Sequence, residues 1–472
     1  MNEKKTKIAV IGAGSAGLAA FREAQRHTDD VLLIDPGPLG TTCARTGCMP
    51  SKVLIHAADT FHRRCFFREQ GLLTSGPQHC DVPAVLEHVR RLRDRFAGGM
   101  VETTNKLAGD RLISECAELL DEHRIQAGSQ TLYADRIILA VGGEPLVPTE
   151  WTRFGDRILT SETVFEQETL PQRIAVIGLG PVGLELGQAL SRLGIDITGV
   201  SLEKNIGGLS DPQVNREMIQ LMEREFPLFL GHPAEIEESE NGGLLVRSGD
   251  REVTVDAVLA AMGIKPNLNG IGLEKLGIDP KDLPCDPHTG QLAGLPVYIA
   301  GDANGVRPIL HEALDEGTLA AAHAFGADTG FCRCRRIPLK IVFSDPEIAV
   351  AGTPYSDLPE NTVTGVAEFD DQARAVIEHR NAGRLHLYAE RETGLLKGAE
   401  MCAPDADTFG HLLALAIQRQ CTVFDLLQMP FYHPTLMEGL RTALRDAAKQ
   451  CDPERKHSNH FLDWCCAEKP LG

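Results

Sequence analysis

Two of the thirteen cysteines, Cys43 and Cys48, stand with four residues between them in the run GTTCARTGCMPSK, Gly40 to Lys52. Pro50-Ser51 just beyond them predicts a helix entrance. A thiol near a helix N-terminus has a lowered pKa and is a better nucleophile. The spacing lets the two sulfurs bridge across one helical turn, so the pair predicts reversible dithiol–disulfide chemistry. Two buried structural thiols, or half a metal site, are the plainer alternative. No second Cys/His pair with zinc-like spacing lies nearby, and no metal site is expected. Cys465 and Cys466, adjacent near the C-terminus, are the second unusual spacing. Cys116, Cys402 and Cys421 sit in apolar surroundings and read as ordinary small core residues. An odd number of cysteines scattered over 472 residues is not a secreted disulfide framework.

The elements that must position such a pair come from a glycine pattern that occurs twice. In KIAVIGAGSAGLAA, Lys7 to Ala20, an apolar strand Ile8 to Ile11 ends at Gly12 and a helix starts near Ser15. Gly12, Gly14 and Gly17 give the G-x-G-x-x-G spacing. The first makes the tight turn, the second lets backbone approach a pyrophosphate, and the third lets the helix pack close to the strand. The helix N-terminus then offers N–H groups and partial positive charge to phosphate. A second strand, Val31 to Ile34, ends at Asp35, where a carboxylate accepts hydrogen bonds from an adenosine ribose. About 165 residues on, the strand Ile174 to Ile177, the turn Gly178, Gly180 and Gly183, the helix Pro181 to Leu193 and the strand Asp196 to Val200 repeat the unit. Two copies imply two dinucleotides in one protein. In the second copy Ser201 stands where Asp35 stands in the first, and Glu203 lies two residues further. Lys204 is the nearest cation, so NAD is favoured and NADP is not excluded: a nearby carboxylate repels a 2′-phosphate.

Composition sets the outer bounds. Hydrophobic residues at 43% over this length predict two to four domains, and sparse aromatics (5%) with 46 glycines suit α/β units. A net charge of −19 disfavours nucleic acid and anionic membrane as partners. The N-terminal apolar run is too short for a signal peptide, and no stretch approaches the ~20 apolar residues of a membrane span. A cytoplasmic protein is expected.

TCARTGCMPSK resembles the T-C-x-N-x-G-C-x-P-S-K motif of the class I pyridine nucleotide-disulfide oxidoreductases, which include dihydrolipoyl dehydrogenase, glutathione reductase and mercuric reductase. The resemblance covers essentially the whole chain. Ala140 to Pro145 (AVGGEP) is similar to the family's A-T-G-x-x-P segment around Gly142, with Val141 and Gly143 as departures. Gly301-Asp302 resembles its second FAD motif, in which the aspartate holds the ribityl chain. FSDPEIAVAG, Phe343 to Gly352, resembles the start of its dimerisation domain, and YHPTLME, Tyr432 to Glu438, its H-P-T-x-x-E signature. The resemblance implies that Cys48 is the flavin-side thiol and Cys43 the interchange thiol. It implies that Lys52 lies near flavin N5 and pairs with Glu185. A lysine beside the flavin would stabilise the anionic reduced ring. His433 and Glu438 become the acid–base unit, because thiol exchange needs a thiolate and a base near neutrality to make it; the carboxylate fixes the imidazole tautomer. In the family this histidine reaches the other subunit's cysteines, so a homodimer with shared active sites is expected.

The implied fold is α/β: two Rossmann-like dinucleotide-binding domains, for FAD and NAD, plus a C-terminal α+β dimerisation domain, as in glutathione reductase. The motif order gives an FAD domain over 1–150, resumed at 275–335, an inserted NAD(P) domain at 151–274 and the dimerisation domain at 336–472. The implied activity is that of a dihydrolipoyl dehydrogenase, oxidising a lipoyl-bearing protein or small dithiol with NAD+. Arg45, where asparagine is usual, and Ala44, in place of a larger apolar residue, depart from that branch. A disulfide or mercuric-type metal-ion reductase using Cys465-Cys466 is the alternative, and a non-catalytic flavoprotein scaffold the reading from another class.

Overall fold

The computed structural model describes residues 4–72, 79–240, 242–326 and 335–451, which form two compact units. The first comprises residues up to 54, 81–170 and 262–335, and the second residues 55–80, 171–261 and from 336 onward.

The first unit is built on a seven-stranded sheet. Lys4–Ile11 lies at its centre, parallel to Val31–Ile34 on one side and to Gln130–Leu139 on the other. Leu112–Ile113 and Val297–Ile299 extend the parallel part, while Arg124–Ala127 and Ala117–Leu119 add an antiparallel edge. Alternation along the strands sorts side chains onto two cores. Ala9, Ile11, Leu32 and Ile34 face one, and Ile8, Val10, Val31 and Leu33 the other. The helices Ser15–Ala24 and Leu310–Ala324 pack together on the second face. Their crossing is tight: a Cβ on Gly317 would lie 2.1 Å from the Ala16 carbonyl oxygen, so only glycine permits it.

The second unit holds a parallel sheet with Leu228–Leu230, Asp196–Ser201, Arg173–Ile177 and Ala257–Ala260 side by side. A small antiparallel sheet of Glu235–Glu238, Leu244–Ser248 and Arg251–Val255 accompanies it. The C-terminal part is a five-stranded antiparallel sheet, ordered Leu339–Val342, Glu347–Gly352, Leu396–Ala403, Arg384–Glu390 and Thr362–Glu368. The helices Ala406–Gln418 and Met437–Gln450 cover it through Phe409, Leu413, Leu440 and Leu444. Among the described residues no helix is long and apolar enough to cross a membrane.

Candidate active site

The two glycine turns fold almost identically. Gly12 N–H donates to the Ile34 carbonyl at 2.8 Å, and Gly178 N–H to that of Val200 at 2.8 Å. The third glycine is demanded by the fold in both. A Cβ on Gly17 would sit 1.8 Å from the Gly12 carbonyl oxygen, and one on Gly183 1.8 Å from that of Gly178. The middle glycines differ in kind. A Cβ on Gly14 would meet nothing nearer than 4.0 Å, and one on Gly180 nothing within 4 Å. Protein crowding does not require glycine there, whereas the backbone of a pyrophosphate-binding turn does. The residues present thus fit two dinucleotides. The second helix begins at Pro181 and ends at Arg192, one residue before the expected Leu193.

Asp35 ties the first turn together: Oδ2 accepts Ala13 N–H at 2.6 Å and Oδ1 accepts Gly37 N–H at 2.7 Å. In the second copy Ser201 is buried, and its Oγ accepts the Glu203 N–H at 3.2 Å. The stem of Lys204 lies along Gly231, where a Cβ would come within 3.2 Å of it. Gly142 takes φ +69°, and its carbonyl accepts Asn267 N–H at 3.0 Å. Asp302 lies in the turn Gly301–Asn304. Burial, and then the charge of Glu316, push its carboxyl above the usual range. Glu316 Oε2 in turn accepts Gly301 N–H at 2.8 Å and the Asn304 amide at 2.7 Å.

The cysteines depart from the expectation of one helical turn. Cys43 lies in a short helix, Thr42–Arg45, and Cys48 opens the next, Cys48–His62, two residues before the expected Pro50. Thr46 and Gly47 separate the two helices, and a Cβ on Gly47 would approach Cys43 Cα to 3.2 Å. The break turns the chain so that the two side chains still meet: Cys43 is hydrogen-bonded to Cys48. That bond, then burial, push the Cys43 thiol far above the ordinary thiol range, while Lys52 pulls the other way. The second proton to leave such a pair is the costly one, so one thiolate forms at a time.

His433 Nδ1 lies 2.9 Å from Glu438 Oε2, with the ring 73% exposed. Glu438 sits in the first turn of Met437–Gln450. Burial acts to raise its carboxyl, but hydrogen bonds from His433 and Thr435 N–H, with the Arg441 charge, hold it below the usual value. Arg441 Nη2 donates to Glu438 Oε1 at 2.8 Å. Sequence reasoning missed Arg441, although its spacing three residues after Glu438 on one helix face was a readable signal. Glu185 is buried, and its Oε1 accepts Phe343 N–H at 3.0 Å. Lys52 lies in the first unit, one turn along the helix from Cys48. Cys402 is buried, as expected, and Cys421 partly so. Cys116 is exposed at the sheet edge, which corrects its reading as a core residue. Cys465 and Cys466 lie outside the described residues. Among the described residues no group of three or more His, Cys, Asp or Glu could hold a metal ion.

Residues 6–317 match the Pyridine nucleotide-disulphide oxidoreductase family, and residues 339–444 match its dimerisation domain. The chain belongs to this family: it is an FAD-dependent oxidoreductase linked to NAD(H), with the glutathione reductase-like fold. The dimerisation domain supports a homodimer. Among relatives, it is 29% identical to a dihydrolipoyl dehydrogenase of Haloferax volcanii over 94% of this chain and 97% of the other. It is 27% identical to a mercuric reductase of Lysinibacillus sphaericus, over 94% of this chain and 83% of that one. The crystal structure of LpdA from Mycobacterium tuberculosis superposes with a TM-score of 0.81 at 26% identity, covering 93% of this chain and 99% of that one.

Proposed function

We propose that this chain is a dihydrolipoyl dehydrogenase that oxidises a lipoyl-bearing protein or small dithiol. The observation that carries the reading is the juxtaposition of two thiols, Cys43 and Cys48; separately, the carboxylate-oriented imidazole of His433 on Glu438 supports it. Several relatives carry that enzyme's name over nearly their whole length, which supports the same substrate class.

In this proposal His433 takes a proton from the substrate dithiol, Glu438 holds the ring by its Nδ1 side, and the resulting thiolate attacks Cys43 of the Cys43–Cys48 disulfide. Cys48 leaves as thiolate, stabilised at its helix N-terminus and by the Lys52 charge on the same helix. FAD held beside this pair would supply two-electron transfer between the thiols and NAD+. Gly12, Gly14, Gly17, Asp35, Gly142 and Asp302 would hold FAD; Gly178, Gly180, Gly183, Ser201 and Glu203 would hold NAD. Glu203 favours NAD over NADP, because a carboxylate there repels a 2′-phosphate. Lys52 and Glu185 are proposed as a pair beside the flavin, and the domain division as 1–150 with 275–335, 151–274 and 336–472. A cytoplasmic setting suits the odd cysteine count.

A side-by-side turnover assay tests the substrate. Dihydrolipoamide with NAD+ should give by far the highest kcat/KM. Faster turnover of Hg(II) with NADPH would replace this reading with a metal-ion reductase, the activity named by one relative. Faster turnover of oxidised glutathione would replace it with a reductase of that disulfide.

A further inference from the structure

The chain enters the Cys43 helix through a turn that carries two residues in the left-handed region. Gly40 has φ +118°, and Thr41 has φ +58° with ψ 146°. A β-branched residue at positive φ is an outlier, kept only where its surroundings over-determine it. Two sets of contacts do so. On the N-terminal side Asp35 fixes Gly37 N–H, as described above. On the C-terminal side Arg45 folds back over the turn. Its Nη1 donates to the Pro38 carbonyl at 2.5 Å. Its Cδ and Cγ lie against Gly40, 3.3 and 3.4 Å from where a Cβ would stand, with the Ala97 carbonyl at 3.3 Å. Its backbone N–H reaches the Thr41 carbonyl at 3.1 Å. Arg45 is also the last residue of the one-turn helix that carries Cys43.

We propose that Arg45 is a positioning residue for Cys43: by bracing the Pro38–Thr41 turn it holds the Cys43 thiol against Cys48 and so sets the thiol–disulfide equilibrium of the pair. This rests on the reading of Cys43 and Cys48 as the redox couple. When the pair closes, each thiol gives up a proton, one S–S bond forms, and two electrons and the two protons pass to an acceptor disulfide, which becomes a dithiol. A pre-positioned dithiol closes more readily, because the ordering cost is already met in the fold. Loosening the turn lowers the effective concentration of one sulfur for the other, moves the equilibrium toward the dithiol and raises the potential.

The test equilibrates the holoenzyme and its variants in dithiothreitol buffers of graded oxidised-to-reduced ratio, then alkylates and reads Cys43 and Cys48 by mass spectrometry. Arg45→Ala should move the equilibrium about tenfold toward the dithiol, a rise of about 30 mV. Arg45→Met keeps a stem on Gly40 but loses the Pro38 bond, and should move it about threefold. An Arg45→Ala equilibrium within about 1.5-fold of wild type, at wild-type FAD content, overturns the proposal. If that variant does not hold FAD, the Met variant decides by the same margin. A lowered melting temperature with an unmoved equilibrium means a structural role only. A wild-type pair whose alkylation never changes across the buffers overturns the redox reading itself, a different outcome.

Discussion

At the residue scale, the division of labour between thiols and imidazole makes two substitutions informative. His433 faces solvent on one side and Glu438 on the other, so its proposed work is confined to proton transfer with the dithiol. His433→Ala should slow reduction by dihydrolipoamide by about 10²–10⁴-fold, the usual span for a lost general base. Reduction by NADH should change little, and stopped-flow flavin absorbance separates the two half-reactions. Equal slowing of both would place His433 outside the thiol step. Cys48→Ser should abolish dithiol turnover yet retain FAD. The long-wavelength absorbance that a thiolate lends to flavin should vanish with it, and a variant that keeps that band would assign the flavin-side role to Cys43. Both residues are legible in the sequence because their meaning is carried by short, local spacings. Arg441 and the separation of the cysteines onto two helices are less so. The first needs the helix face to be known. The second turns on Thr41 and Gly47, whose backbone geometry no hydrophobic period reports.

At the element scale, the glycine units are legible for the same reason: strand, turn and helix are contiguous, and both copies fold to the same contacts within a tenth of an ångström. Long-range polar nodes are not. Arg192, buried at the end of the helix Pro181–Arg192, pairs with Asp59 at 2.6 Å, with Glu225 at 2.5 Å and with Asp345 at 3.1 Å, partners 133, 33 and 153 residues away. Asp211 is another such node. It caps the helix Pro212–Met222 through Gln213 N–H and Val214 N–H, and it meets His386 Nδ1 at 2.7 Å and Tyr388 Oη at 2.8 Å. Burial acts to raise its carboxyl, but the His386 and Tyr388 hydrogen bonds win and hold it at about 2. Its contribution is therefore present above pH ~4 and lost as pH falls through about 2. Asp211→Ala should cost about 2–4 kcal/mol at pH 7, from the lost cap and the opened buried pair. The gap from wild type should narrow as the pH falls toward that value, measured by urea unfolding; a gap independent of pH would mean that packing, not the charge, is what Asp211 supplies.

Glu347 has the opposite sign. Burial pushes its carboxyl up to about 7, against the Asp407 N–H that it accepts at 3.0 Å. A carboxyl raised in the folded state lends stability below its ordinary pKa of ~4.5 and loses it as pH climbs to about 7. Glu347→Gln keeps an acceptor for Asp407 N–H without the charge. It should leave stability unchanged near pH 4.5 and raise it by about 2–3 kcal/mol at pH 8. A variant that is less stable at pH 8 would mean that the ionised Glu347 has a partner worth more than its desolvation cost.

At the scale of the whole molecule, the shared active sites that the family resemblance implies would divide the proposed chemistry between chains. The dimerisation domain carries His433 and Glu438, and the cysteines lie more than 380 residues earlier, in the other compact unit. If each site takes its thiols from one subunit and its imidazole from the other, two dead variants can rescue each other. A chain with Cys48→Ser keeps His433, and a chain with His433→Ala keeps the cysteine pair. In a mixed dimer one site draws both intact parts and the other draws both defects. Random pairing of equal amounts makes about half of the dimers mixed, so co-expression should restore about a quarter of wild-type dihydrolipoamide turnover. Each variant alone should stay near zero. Two tagged chains purified in tandem isolate the mixed dimer, which should then run at about half of the wild-type rate per dimer. Isolated mixed dimers with no more activity than the parent variants would place each imidazole with the thiols of its own chain, and the shared-site proposal would fall while the redox pair itself stood.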